Sequence, residues 1–174
     1  VAVTFTVDKA PITDVSIKEG ITFTYIGTEI IPTFSQLDIT TAIGLANSDV
    51  NIIAVNNIDA GIATVTVTAK EDSNYTGSVS TIFTIIPKSI TVIEITGITV
   101  PVSGSIPDTT GVTGSSTYTI SSILGWDPND DPFRSSVEYT VSSLVYPVAN
   151  YIIDGNTIAT IDGNTATITS VDGT

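Results

Sequence analysis

Apolar and polar residues alternate along most of this chain. Residues 1–7 read V-A-V-T-F-T-V and place Val1, Val3, Phe5 and Val7 on one face. In residues 62–70, Val65 and Val67 fall opposite Thr64, Thr66 and Thr68. Residues 79–86, 90–98, 118–123 and 137–145 follow the same rule. Successive side chains of a strand point to opposite faces, so this period predicts strands with one buried face. Turn-forming clusters separate the runs: Lys18-Glu19-Gly20, Asn56-Asn57, Asp72-Ser73-Asn74, Asp127-Pro128-Asn129, Asp154-Gly155-Asn156, Asp162-Gly163-Asn164 and Asp172-Gly173. Asp-Gly pairs supply the positive φ angles of tight hairpin turns. No segment keeps a 3.6-residue apolar period for three turns. Short strands at this spacing predict β-sandwiches rather than βαβ units.

Composition strengthens that picture. Ile occurs 27 times, Thr 30 times and Leu four times among 174 residues. β-branched side chains are stiff at χ1 and pack well on a pleated surface. Such a chain is also too rich in them to be disordered. Lys and Arg total 5 against 18 Asp and Glu, a net charge of −13. That excludes an ordinary nucleic-acid binder, which needs a basic surface. With no Cys and no His, disulfide scaffolds, thiolate or imidazole metal sites, Cys nucleophiles and Ser-His-Asp triads are excluded too. No apolar run approaches the roughly 18 residues of a membrane span. The sequence starts without Met, as a processed product or a fragment would.

A boundary falls near Ile86-Pro87-Lys88, where two alternating runs abut. Each side then has the size of a small sandwich domain. The short link predicts two domains set end to end with little freedom.

The phrases of the first half are Lys9-Ala10-Pro11-Ile12, Tyr25-Ile26-Gly27, Asn57-Ile58-Asp59-Ala60-Gly61, Asn74-Tyr75-Thr76-Gly77 and Phe83-Thr84-Ile85. In this order they resemble the MBG-type immunoglobulin-like repeats that occur in tandem in large bacterial surface proteins. The second half carries Pro101-Val102-Ser103-Gly104-Ser105-Ile106-Pro107, Tyr118-Thr119-Ile120, Trp126-Asp127-Pro128, Phe133, Glu138-Tyr139-Thr140-Val141 and Ile161-Asp162-Gly163-Asn164-Thr165. It is similar to another module of Gram-positive surface proteins, often found beside S-layer-type anchoring repeats. That module usually ends with one more strand after its last Asp/Asn-Gly turn, and here the sequence stops at Asp172-Gly173-Thr174. The resemblance implies an all-β protein of two tandem immunoglobulin-like β-sandwich domains. Residues 9–87 form the first, and residues 88–174 form the second, which lacks its last strand.

Residues 1–8 precede the opening phrase of the first module and so read as a strand belonging to the preceding module. Read from Thr174 into Val1, the text runs strand, Asp-Gly turn, strand. The expectation is one period of a longer array, in which Val1, Val3, Phe5 and Val7 complete a neighbouring copy's second sandwich. The junction is either covalent tandem repetition or strand addition between subunits. The alternative is that both ends fray, or that residues 1–7 pair within their own chain.

Several chemical candidates remain. Asp127, Asn129, Asp130 and Asp131 could wrap a Ca²⁺, which takes six to eight oxygens, although the spacing is not that of an EF-hand; the competing reading is a Pro-flanked turn with Asp side chains on backbone amides. No other cofactor is expected. Asp8, Asp14, Asp154, Asp162 and Asp172 read as strand-end and turn residues; alternatively, Asp8 or Asp14 joins Asp172 in a Ca²⁺ site across a domain joint. Trp126 reads as a core plug or, alternatively, a sugar-stacking platform. Lys9, Lys18, Lys70 and Lys88 are the candidates for a Lys–Asn isopeptide bond and otherwise exposed charges. Asn74-Tyr75-Thr76 is a formal sequon that reads as part of a turn. No pattern places two carboxylates in a cleft as a glycosidase needs, so no enzyme is expected. The functional expectation is a structural repeat unit of a surface fibre, extracellular and on the bacterial cell surface. Its partners are other copies of itself, head to tail, with no nucleic acid and no membrane span. The alternative is an adhesin or carbohydrate-binding module that takes a surface glycan through its loops.

Overall fold

A computed structural model describes residues 1–41 and 44–169. The chain is all-β, built as several small sheets, and no α-helix occurs among the described residues. It divides into two compact units, Val1–Pro87 and Lys88–Thr174.

The first unit contains β1 (Ala10–Pro11), β2 (Asp14–Ile17), β3 (Phe23–Thr24), β4 (Leu37–Thr40), β5 (Val50–Val55), β6 (Gly61–Ala69), β7 (Tyr75–Thr76) and β8 (Ser78–Ile86). Its main sheet is a curled half-barrel with strand order β3-β8-β6-β5. β6 is antiparallel to both β5 and β8, and β3 runs parallel to β8. β2 pairs antiparallel with β4, and β1 pairs parallel with β7. The alternation in β6 sets its faces: Ala63, Val65 and Val67 are fully buried, and the threonines between them turn outward. They meet Phe83, Ile85, Val15, Leu37 and Phe23 in one core. On the outer face, hydroxyls link neighbouring strands, Thr66 Oγ1 to Ser80 Oγ and Thr68 Oγ1 to Ser78 Oγ, both at 2.8 Å. Gly77, which closes the Asn74-Tyr75-Thr76-Gly77 phrase, has φ +102°, and a Cβ there would lie 3.1 Å from the Ile12 carbonyl oxygen. The phrase thus needs glycine where β7 turns into β8 beside Ile12.

The second unit contains β9 (Lys88–Ser89), β10 (Val92–Ile95), β11 (Tyr118–Ile120), β12 (Gly125–Asp127), β13 (Thr140–Ser142), β14 (Val145–Pro147), β15 (Tyr151–Ile152), β16 (Ile158–Ile161) and β17 (Asn164–Ala166). Its largest sheet has the order β10-β16-β17, with β10 parallel and β17 antiparallel to β16. The remaining sheets are the pairs β11-β14, β12-β13 and β9-β15. The core under the three-stranded sheet consists of Ile90, Ile93, Ile95, Tyr118 and Ile153.

Four predicted strands differ in the structure, the simplest being residues 118–123, which hold only β11. Residues 137–145 do not form one strand: they hold β13 and the first residue of β14, with a break between. Tyr139 lies outside β13 because its ring turns onto Phe133, centroids 4.7 Å apart. Residues 90–98 hold only β10, beyond which the backbone amides of Gly97 and Ile98 turn to the Asp162 carboxylate. Residues 1–7 form no strand, since no strand of the described residues lies alongside them to complete a ladder.

Candidate assembly site

Strand pairing in this chain begins at Ala10. Upstream of it, Val1, Val3, Phe5 and Val7 are all exposed, Phe5 at 84%. An alternating apolar segment left exposed is a pattern that pairs readily where a sheet edge is offered.

The three-stranded sheet of the second unit has two edges of different kinds. The β10 edge is closed. In a parallel ladder every second residue turns its backbone groups away from the neighbour, and in β10 this leaves Val92 and Glu94 facing outward. The buried Tyr118 hydroxyl accepts the Glu94 amide at 2.7 Å and donates to the Glu94 carbonyl at 3.0 Å. One step on, Thr96 and Val112 exchange both backbone bonds at 2.9 Å. The β17 edge is different, because β17 is the last strand of its sheet among the described residues. β16 and β17 join through the two-residue loop Asp162-Gly163, with φ +46° and +77°. Positive φ at both central positions defines a type I′ hairpin. Ile161 and Asn164 then form the hydrogen-bonded closing pair, and so do Ala159 and Ala166. Thr165 lies between these pairs, so its N–H and C=O point away from β16.

Acidic side chains in this unit hold backbone. The two Asp162 oxygens accept the amides of Gly97 (3.0 Å) and Ile98 (2.8 Å). Asp108 accepts the amide of Thr99. Asp154 accepts the Ser89 hydroxyl and, at 2.9 Å, the Asn156 amide. The Ser89 bond, and after it the Asn156 amide, hold the Asp154 carboxyl below its ordinary value. In the first unit Asp14 accepts the Val15 amide at 2.9 Å. Asp172 lies outside the described residues.

The acidic run is dispersed in the same way. Asp127 is on β12. Asp130 accepts the Tyr139 hydroxyl at 2.9 Å and pairs with Arg134 at 3.1 Å. Among the described residues no three acidic side chains, those of Asp127, Asp130 and Asp131 included, stand close enough to hold one metal ion. Trp126 is half-buried and packs edge-on against Phe133 at 4.9 Å, and its Nε1 donates to the Asp108 carbonyl at 2.7 Å. Lys18 and Lys70 reach the carbonyls of Ser35 and Ser48, at 2.9 and 2.8 Å, and Lys9 reaches that of Glu71. None of these three contacts is to an Asn or Asp side chain.

Sequence reading missed the Tyr118 clamp and the bracing carboxylate of Asp162. Tyr118 gives no local signal, because its partner is 24 residues away. Asp162 was legible only as a turn residue. Comparison of the chain with protein-family models, curated proteins and solved structures found no match.

Proposed function

We propose that this chain is a structural repeat unit of an extracellular bacterial surface fibre or stalk. Its two units are immunoglobulin-like β-sandwiches, and copies follow one another head to tail through strand complementation or covalent tandem repetition. The observation that carries this reading is the exposure of Val1, Val3, Phe5 and Val7 on a segment that no strand among the described residues completes. Apolar strand edges left open recruit other chains. The function is mechanical: each unit buries a β-branched core, and successive copies add length. The net charge of −13 keeps neighbouring fibres apart. A chain without Cys or Met also lacks the side chains most easily oxidised. The glycan-binding alternative is the weaker reading, because the rings of Trp126, Phe133 and Tyr139 pack on one another and the Trp126 N–H is already bonded.

The test is the mass of the native material, measured first intact and then fully denatured. Native masses at multiples of 18.1 kDa are expected. A denatured mass far above that value means covalent repetition, and a denatured mass near it means separate subunits. A native species that stays a single copy at micromolar concentration overturns the reading. Loss of the protein from intact cells treated with external protease tests the location.

A further inference from the structure

We propose that the outer edge of β17 receives residues 1–7 of a second copy of this chain as an added antiparallel strand, with Phe5 opposite Ala166. This rests on the repeat-unit reading and names the site through which copies join.

Four observations select this edge. First, β17 is the last strand of its sheet among the described residues, while at the other end Tyr118 and the Thr96–Val112 bridge occupy the backbone of Glu94 and Thr96. Second, the core beneath it is short of material. Five residues are buried in the cluster under this sheet, against eleven in the first unit's cluster, though the two units are equal in length. Third, the row across the core face reads Ile93, Ala159, Ala166, so two small side chains stand together beyond one large one. A hollow of about 330 Å³ lies at this edge, lined by Ala159, Ala166 and Ile168 together with Ile158, Thr165 and the 154–157 turn. Close packing puts a large residue beside small ones, and Phe5 is the largest side chain of the 1–7 segment. Fourth, residues 1–7 and 164–169 contain no charged side chain, in a chain of net charge −13. The two segments therefore meet without the like-charge repulsion that opposes contact elsewhere.

The two periods also agree. With Phe5 opposite Ala166, Val3 stands opposite Ile168 and Val7 opposite Asn164, all on the core face. Ile168 already packs against that core. Thr4 and Thr6 stand opposite Thr167 and Thr165 on the outer face, where threonine pairs suit adjacent strands. A one-residue slip would turn every valine and Phe5 to solvent. Thr165 and Thr167 present their backbone groups outward, so the new ladder bonds run through Thr4 and Thr6.

The chain has no Cys, so introduced thiols report the register directly. Full-length Thr6→Cys chains are mixed with full-length Thr165→Cys chains of distinguishable mass and mildly oxidised. Directly opposed Cα atoms lie about 5.5 Å apart, within disulfide reach. In the control mixture, Thr6→Cys with Thr167→Cys, the diagonal spacing is about 7–8 Å and out of reach. The expected result is a disulfide-linked pair formed roughly tenfold more in the first mixture. Phe5→Asp added to the Thr6→Cys chain should abolish the link, while Trp126 emission stays unchanged because both units still fold. Equal yields in the two mixtures overturn the register, and no link in either overturns the site. If the unmodified chain still shows native multiples, only this site fails; if it is a single copy, the repeat-unit reading fails with it.

Discussion

Tyr118 and Glu94 are joined at three atoms: one phenol oxygen takes the Glu94 amide at 2.7 Å and gives its proton to the Glu94 carbonyl at 3.0 Å. A side chain thus stands where a neighbouring strand would otherwise stand. The residues on either side of Glu94 in β10 turn their backbone groups to β16, as the bonds from Ile158 to Thr91 and from Asp162 to Ile95 show. The edge is closed to further strands at the cost of one buried tyrosine. Tyr118→Phe keeps the ring and leaves two backbone groups unpaired. A loss of about 1–3 kcal/mol is expected, read from urea unfolding followed by Trp126 emission. The Glu94 amide should also exchange with solvent about tenfold faster or more. Unchanged exchange at Glu94 would mean that the phenol does not close this edge.

Gly111 is held to glycine by space. A Cβ built there lies 2.8 Å from Ile95 Cγ2, with Leu124 Cδ2 at 3.6 Å and Ile120 Cδ1 at 3.7 Å. Gly111→Ala therefore overfills the wall of the second core, at an expected cost of about 1–3 kcal/mol. Ile95→Ala removes the clashing methyl. The double variant should then cost less than the two single variants summed, by 0.5 kcal/mol or more on the usual scale of coupled neighbours (~0.5–3 kcal/mol). Strict additivity in urea denaturation would mean that the contact is not the cause.

Legibility followed locality. The faces of β6 were readable because Val65, Val67 and their flanking threonines carry the period themselves. The Asp162-Gly163 turn was readable because its two positive φ angles need those residue types. The break within residues 137–145 was not, because Tyr139 is drawn out of line by Phe133 and Asp130. The same contact gives the Asp130 carboxylate a phenol partner nine residues away that no sequence pattern shows. Of the candidate assembly site, the segment bearing Phe5 was visible in sequence. The strand at residues 164–169 was visible too, as the partner of residues 1–7 across an Asp-Gly turn; what was not visible is the sheet behind it, which depends on β10 lying parallel to β16 and on Tyr118 bonding the far side. Those pairings span long stretches of chain, and no local pattern encodes them.

Asp154 couples the second unit to acid. The Ser89 hydroxyl and the Asn156 amide favour its ionised form and hold it below its ordinary value of 3.8. A carboxyl lowered on folding stabilises the folded state above its unfolded value, and that contribution is lost as pH falls through the folded value. Ser89→Ala should therefore raise the Asp154 titration midpoint toward 3.8, as followed by carboxyl carbon shifts. The change in stability traced to this carboxyl should be present near neutral pH and fade as pH falls below about 4. A midpoint unmoved by the substitution would show that Ser89 does not hold this carboxylate.

Phe83 and Ile82 are adjacent in β8 and face opposite ways. Phe83 is buried with its ring edge-on to Phe23, centroids 4.9 Å apart, and Ile82 is 64% exposed opposite Thr64. Hydrophobicity alone ranks the two alike; the pleat separates them. Phe83→Ala should cost about 3–5 kcal/mol through a lost ring and the cavity left behind. Ile82→Thr should stay within about 0.5 kcal/mol, since an exposed strand position accepts a β-branched hydroxyl side chain. Hydrogen exchange at the amides of β6 reads both, because β6 lies between β5 and β8 and opens only with the first unit. A large loss from Ile82→Thr would mean that the outer face of this sheet is covered in solution, and a small loss from Phe83→Ala would displace the core from the face assigned to it.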